Sequence, residues 1–234
     1  MTEELFREDA YARSCEARIA VVVEDGVCLD RTVFYCMGGG QPGDRGRLLL
    51  DDGAALQVVD TVKDGARILH RLIDVDGLPA VGARVIGEVD WPRRHRLMRM
   101  HSALHLLCAA IGRPVTGGQV GEHKSRLDFD LQGEPVDKDQ IAEVIERWIA
   151  EDHPIFHRWV DAAELEARPE LVRTMSVRPP TSAGRVRLVE IAGVDLQACG
   201  GTHVRSTGEI GAVTVGKIEN KGRQNRRISL TLIE

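Results

Sequence analysis

No apolar run in this 234-residue chain approaches the length that crosses a bilayer, and its opening, Met1-Thr-Glu-Glu-Leu5, has neither the basic nor the apolar region of a signal peptide. The expectation is a cytoplasmic protein without a membrane partner. Cysteine is scarce: five residues, at positions 15, 28, 36, 108 and 199, odd in number and without framework spacing, argue for reduced thiols over disulfides. Basic charge is not in excess either. Lys and Arg number 31 against 36 Asp and Glu, and the formal net charge of −5 excludes a protein that coats nucleic acid by bulk electrostatics, while leaving room for a local basic patch. No Gly-Lys-Ser/Thr closes a P-loop and no GxSxG elbow is present, which removes the P-loop nucleotide hydrolases and the elbow-type serine hydrolases. Internal repeats and low-complexity tails are also missing.

What is present suffices for a sizeable core: 43% of residues are hydrophobic, enough for one large or, preferably, two modest domains. From Glu16 to about Val89, short β-rich runs alternate with Gly or Asp clusters: Arg18–Val23, Val27–Phe34, Arg47–Leu50, Ala55–Val62, Arg67–Ile73 and Arg84–Val89. That spacing predicts a small antiparallel barrel. The period then changes. Asp90-Trp-Pro opens a long helix with an N-cap and an early proline, and Gly112 and Pro114 close it, so a boundary falls near residue 90. Beyond it, strand-like runs at Arg126–Leu131, Ile155–Val160, Arg185–Ile191, Ile210–Lys217 and Arg227–Ile233 surround an amphipathic helix that Asp137-Lys-Asp-Gln140 caps and that reaches about Ala150. Arg168 to Gly184, rich in proline, reads as a partly irregular connection. The fold class is therefore α+β, a barrel domain over 1–90 followed by helices on an antiparallel sheet over 91–234.

Two segments far apart in the chain, His101-Ser-Ala-Leu-His105 and Cys199-Gly-Gly-Thr-His203, together offer four metal-binding side chains. Leu97, Leu104, Cys108 and Ile111 recur at helical spacing around the first pair, which sets His101 and His105 one turn apart on one face. Glycines in the second let a thiolate and an imidazole converge. One zinc ion per chain fits three His and a Cys better than magnesium or calcium. Taken singly, each half is equally a pair of core histidines or a buried thiol. Four protein ligands normally mark a closed, structural zinc, whereas a catalytic ion keeps a position open; the two are reconciled if one histidine binds weakly or the ion expands to five-coordinate.

Three further segments carry alternatives. Phe34 to Gly46 is the densest glycine stretch, and its Gly38, Gly39, Gly40, Gln41 and Asp44 form either a tight turn between strands or a surface where backbone amides meet a ligand. Val115-Thr-Gly-Gly-Gln119 reads as a loop after the metal helix, with Thr116 and Gln119 as candidate groups for a polar substrate. From Lys217 to Arg227 the chain holds five basic residues against one Glu219; such a run is most often a solvated hairpin tip, yet Arg223, Gln224, Asn225, Arg226 and Arg227 also suit phosphate and sugar contacts.

In their order along the chain, FYCMGGGQPGDRG, DWPRRHRLMRMHSALHLL, CGGTH and ENKGRQNRR resemble the free-standing alanyl-tRNA editing proteins of medium length, relatives of the editing domain of alanyl-tRNA synthetase. The resemblance spans roughly residues 30 to 230. It implies an N-terminal barrel, a zinc held by His101, His105, Cys199 and His203, and hydrolysis of the ester that joins serine or glycine wrongly to tRNA(Ala), whose acceptor end is the partner. Thr116 and Gln119 are then the candidate catalytic groups, and the glycine stretch and the basic run the candidate tRNA contacts. No ATP requirement is implied, since no aminoacylation domain fits before residue 30. One departure from the pattern is Cys36, where proline is expected. The rival readings are a tRNA-binding module with a structural zinc and a zinc hydrolase of small esters.

Overall fold

A computed structural model describes residues 1–74, 77–168, 171–173, 181–182 and 184–233, which divide into two compact units, Met1–His95 and Arg96–Glu234. In the first unit, β1 (Glu3–Glu4) and β4 (Arg31–Thr32) form a short parallel pair. The remaining strands are β2 (Ser14–Val23), β3 (Gly26–Leu29), β5 (Gly46–Leu50), β6 (Ala55–Asp64), β7 (Arg67–Leu72) and β8 (Arg84–Val89). They close an antiparallel barrel in the order β2-β3-β7-β6-β5-β8, the architecture that the spacing of β-rich runs predicts. Alternate residues point inward, and Ala17, Ile19, Val27, Leu29, Phe34, Leu48, Val58 and Val85 fill the interior. The predicted single strand Val27–Phe34 is broken into β3 and β4. Asp30 is the cause: its carboxylate accepts from the amides of Arg18 and Arg31, and this local bonding turns the chain out of the barrel ladder.

The glycine stretch is tied down by its buried acid. Asp44 accepts from the Tyr35 amide at 2.6 Å and from both the Nε and an Nη of Arg94, all fully buried. Arg93 donates to the Gly43 carbonyl, and a side chain at Gly43 would run into the Thr61 carbonyl. Cys36, at the position where proline is expected, packs with Phe6, Tyr35 and Ile68.

The long helix α1 (Trp91–Ile111) is capped by Asp90, whose side chain accepts from the Arg93 amide at 3.2 Å, and ends at Gly112 in the left-handed region. It is not the amphipathic helix that the apolar spacing suggests. Leu97, Met98, Met100, Ala103, Leu104, Leu106 and Leu107 are all buried, so packing surrounds the helix from Leu97 to Cys108, with Arg99 alone half-exposed.

In the second unit, β9 (Val115–Gln119), β10 (Lys124–Asp130), β15 (Val213–Val215), β16 (Glu219–Asn220) and β17 (Asn225–Leu232) make one antiparallel sheet, with β17 and β10 at its centre. The second sheet joins β11 (Ile155–Asp161), β12 (Thr181–Ser182), β13 (Arg185–Ile191) and β14 (Asp195–Ala198). Helix α2 (Lys138–Ala150) begins where predicted, with the Asp137 carboxylate accepting from the amides of Asp139 and Gln140; α3 (Ala162–Ala167) is short. Helices on antiparallel sheets confirm the α+β class. Three local expectations change. Val115–Gln119 is a strand, since Gly118 lets β10 come so close that a Cβ there would lie 2.7 Å from Leu127. Of Ile210–Lys217 only Val213–Val215 pairs, because Thr207–Ile210 winds into a 3-10 turn. Asp195–Ala198 is a strand absent from the sequence reading. Most of the expected irregular connection from Arg168 to Gly184 lies outside the described residues. Among the described residues no helix is long and apolar enough to cross a membrane.

Candidate metal centre

The two predicted metal-binding segments meet. His101 and His105 project from one face of α1, Cys199 follows β14 and His203 ends the same loop; one donor atom from each lies within 4.8 Å of all the others. Cys199 Sγ stands 3.5 Å from His101 Nε2 and 3.3 Å from His203 Nε2. Ordinary zinc bond lengths at a tetrahedral ion set sulfur and nitrogen roughly 3.6 Å apart, so the cluster has the dimensions of a zinc site. The three imidazoles are buried, and the Cys199 residue is partly buried.

Each donor is held from behind. Ser102 Oγ lies 3.1 Å from His203 Nδ1 and accepts from the Val204 amide, so the helix that carries two histidines also orients the third. His105 Nδ1 lies 3.2 Å from the fully buried carboxylate of Asp195. The loop is pinned by Arg187, whose Nη1 donates to the carbonyls of Cys199 and Gly201 at 3.2 and 3.0 Å. These contacts leave the Nε2 atoms of His105 and His203 facing the centre.

The electrostatics suit a cation. Burial alone would raise the Cys199 thiol, but the facing imidazole of His101, with hydrogen bonding from His101 and His105, outweighs it and holds it well below the usual thiol range. The thiolate is the metal-binding form. Burial, then the neighbouring His101, pushes His203 well below the usual imidazole value, which leaves it neutral and able to donate a lone pair. Burial also opposes charge on His105, yet hydrogen bonding to Asp195 and Cys199 prevails and carries it up to about 9, so an incoming ion must displace that proton.

Two family models match the chain: threonyl and alanyl tRNA synthetase second additional domain over residues 186–229, which contains Cys199 and His203, and tRNA synthetases class II (A) over residues 7–93. The alanyl-tRNA editing protein AlaX-M of Methanosarcina acetivorans is 42% identical over 247 aligned residues, covering 100% of both chains. The chain belongs to the alanyl-tRNA editing protein family. The AlaX-M protein of Saccharolobus solfataricus is 35% identical over 99% of both chains. Alanine–tRNA ligase of Pyrobaculum neutrophilum is 39% identical over 93% of this chain but only 25% of its own length, so the likeness to the ligase is to one part of it.

The other sequence-predicted residues of this AlaX-type chain lie on β9, on the β16–β17 hairpin and, in the first unit, on the glycine stretch. Thr116, on β9, donates its hydroxyl to the Asp128 carbonyl at 3.1 Å and stands 3.5 Å from Asn225 Oδ1; Gln119 is exposed at the end of the strand. Gly38 and Gln41 bond each other's backbone across a tight turn whose tip, Gly39 and Gly40, is exposed, while Gln41 and Asp44 are fully buried. The basic run is the predicted hairpin, β16 to β17, with Arg223 and Gln224 exposed at its turn. Arg226 donates to the Asn225 carbonyl, whereas Arg227 grips both oxygens of Asp128 at 2.7 and 2.8 Å. A cleft of about 780 Å³ on the barrel, lined by Arg45, Arg47, Gln57, Glu88 and Trp91 among others, contains none of the predicted site residues. Sequence reasoning passed over Ser102, Arg187, Asp195 and Gln197. For Asp195 and Gln197 a signal existed: two polar residues at i and i+2 just before CGGTH share one face of any strand there.

Proposed function

We propose that this protein hydrolyses the ester that joins serine, and also glycine, to tRNA(Ala), at a zinc ion held by His101, His105, Cys199 and His203. The observation that carries the reading is the convergence of these four donors in a chain similar over its full length to alanyl-tRNA editing proteins. Zinc bound there would supply Lewis acidity, which polarises a carbonyl or makes water a better nucleophile at neutral pH. The protein's own groups do the rest. Cys199 remains a ligand and not the attacking nucleophile, because its lone pairs serve the ion. Thr116 and Gln119 offer a hydroxyl and an amide to the aminoacyl group. Alanine is spared because a site that hydrogen-bonds the serine hydroxyl rejects an analogue without it far better than an apolar pocket does. Exposed Arg223 and Gln224, with Asn225 and Arg226 beside them, take phosphates of the acceptor end, and the exposed Gly39–Gly40 tip contributes backbone amides. No ATP is consumed.

A second reading rests on the number of ligands: four protein donors complete a tetrahedron, as in a structural zinc, and the chain would then be a tRNA-binding module. Deacylation separates the two. Zinc-loaded, folded protein should release serine from Ser-tRNA(Ala) much faster than from a small seryl ester; a folded, zinc-loaded preparation that binds tRNA and leaves it charged would establish the module, and equal rates on both substrates would point to a small-ester hydrolase.

A further inference from the structure

Behind the metal ligands lies a buried carboxylate. Asp195 and Gln197 alternate on one face of β14, opposite Ile191 and Val189 of β13, and both side chains turn toward His105 of α1. Asp195 Oδ2 is 3.2 Å from His105 Nδ1 and 2.7 Å from Gln197 Nε2, and Gln197 Nε2 is itself 3.1 Å from His105 Nδ1. With the ion bound and the extra proton of His105 displaced, only one proton arrangement serves all three groups. Gln197 Nε2 carries hydrogens and donates to the carboxylate, so if His105 Nδ1 were the bare nitrogen its hydrogen would sit on Nε2, the atom facing Cys199 and the other imidazoles. Placing the hydrogen on Nδ1, donated to Asp195, frees the Nε2 lone pair. The close approach of Gln197 to His105 is then two donors sharing one acceptor oxygen.

We infer that Asp195, held in place by Gln197, is the positioning residue that fixes His105 in its metal-binding tautomer and makes it a stronger imidazole donor than His203. This rests on the zinc reading above. Two observations favour a carboxylate in this role. A divalent ion would bring a buried cation to the Cys199 thiolate and the Asp195 carboxylate, whose desolvated negative charges are costly without one. The contrast with His203 is equally direct: its Nδ1 meets the neutral hydroxyl of Ser102, a weaker electron source than an anion. The second ring of contacts thus ranks His105 above His203. Arg173 Nη2, 3.8 Å from Asp195 Oδ1, brings a further cation to the carboxylate from the edge of the protein.

The test measures metal affinity rather than turnover. Purified full-length wild type, Asp195→Asn and Gln197→Met are titrated with zinc against a competing chelator, and the cobalt forms are examined by visible absorption, with folding checked by circular dichroism. Asparagine can still accept the Nδ1 hydrogen but brings no charge, so Asp195→Asn should keep four-coordinate cobalt spectra, shift the d–d bands to longer wavelength, and weaken zinc roughly 10- to 100-fold, with a smaller loss for Gln197→Met. If Asp195→Asn does not fold, Gln197→Met carries the test alone. Zinc affinity and cobalt spectra equal to wild type in the folded variants would overturn the role of Asp195 and leave the zinc reading intact. A wild type that binds neither metal would remove the zinc reading itself, and this inference with it.

Discussion

His70 shows how one side chain sets a pH limit on the barrel. Its Nδ1 donates to the Val27 carbonyl and its Nε2 accepts from the Thr32 hydroxyl, which in turn accepts from the Phe34 amide. Only the bond in which Nε2 accepts requires the neutral ring, and complete burial, partly opposed by the bond to Val27, pushes its pKa down to about 4. The unfolded chain takes up the proton near 6.5 and the folded one only near 4, so this contribution is fully present above about pH 6.5 and is lost as pH falls toward 4. The difference is worth about 3 kcal/mol. Urea midpoints measured from pH 7 to 4 should fall more steeply for wild type than for His70→Gln; parallel curves would mean that the ring is not held neutral. At the metal centre, His101→Ala and Cys199→Ser should each leave purified protein with little bound zinc, as read by elemental analysis. The four candidate ligands were legible in sequence because HxxxH and CxxxH are spacings that suit a shared ion. Ser102 and Arg187 were not, since a residue that supports a ligand from another element is defined by tertiary approach, and Asp195 and Gln197 left only the signal of two polar residues at i and i+2.

Among the elements, the β16–β17 hairpin carries a sharp expectation. Arg223 is exposed at its turn, while Asp128 neutralises Arg227 and holds its own carboxyl below the usual range through that pairing. If the hairpin tip contacts tRNA phosphates, Arg223→Ala should weaken binding uniformly and lower the slope of log affinity against log salt by about one, whereas Arg227→Ala should leave that slope nearly unchanged. Fluorescence anisotropy with labelled tRNA(Ala) at several salt concentrations reads both. Helix α2 offers a control outside the site: Asp137→Ala removes the acceptor for two amides and should cost about 1 kcal/mol in urea unfolding without altering zinc content. Elements marked by strong local signals, such as the Asp137 cap and the alternating barrel strands, were readable in advance. Val115–Gln119 was not, because two glycines spoke for a loop; Gly118 instead leaves the space that the Leu127 side chain fills. The break at Asp30 escaped notice for a related reason, a side chain competing with the ladder for its own neighbours' amides.

For the whole molecule, all four candidate ligands belong to the unit Arg96–Glu234, and His70 belongs to Met1–His95. Chelation should therefore lower the unfolding temperature of the second unit and leave that of the barrel in place, because an ion that binds only the folded state stabilises the unit that holds it. The central claim is the removal of a wrong amino acid from tRNA(Ala), and one measurement meets it directly: the deacylation rates of Ser-tRNA(Ala), Gly-tRNA(Ala) and Ala-tRNA(Ala) by a preparation whose zinc content is determined in parallel. The account predicts rapid loss of serine, and of glycine, with alanine retained, and loss of that activity in proportion to zinc removed. Retention of serine by folded protein with one zinc per chain, or release of all three amino acids at one rate, would contradict it.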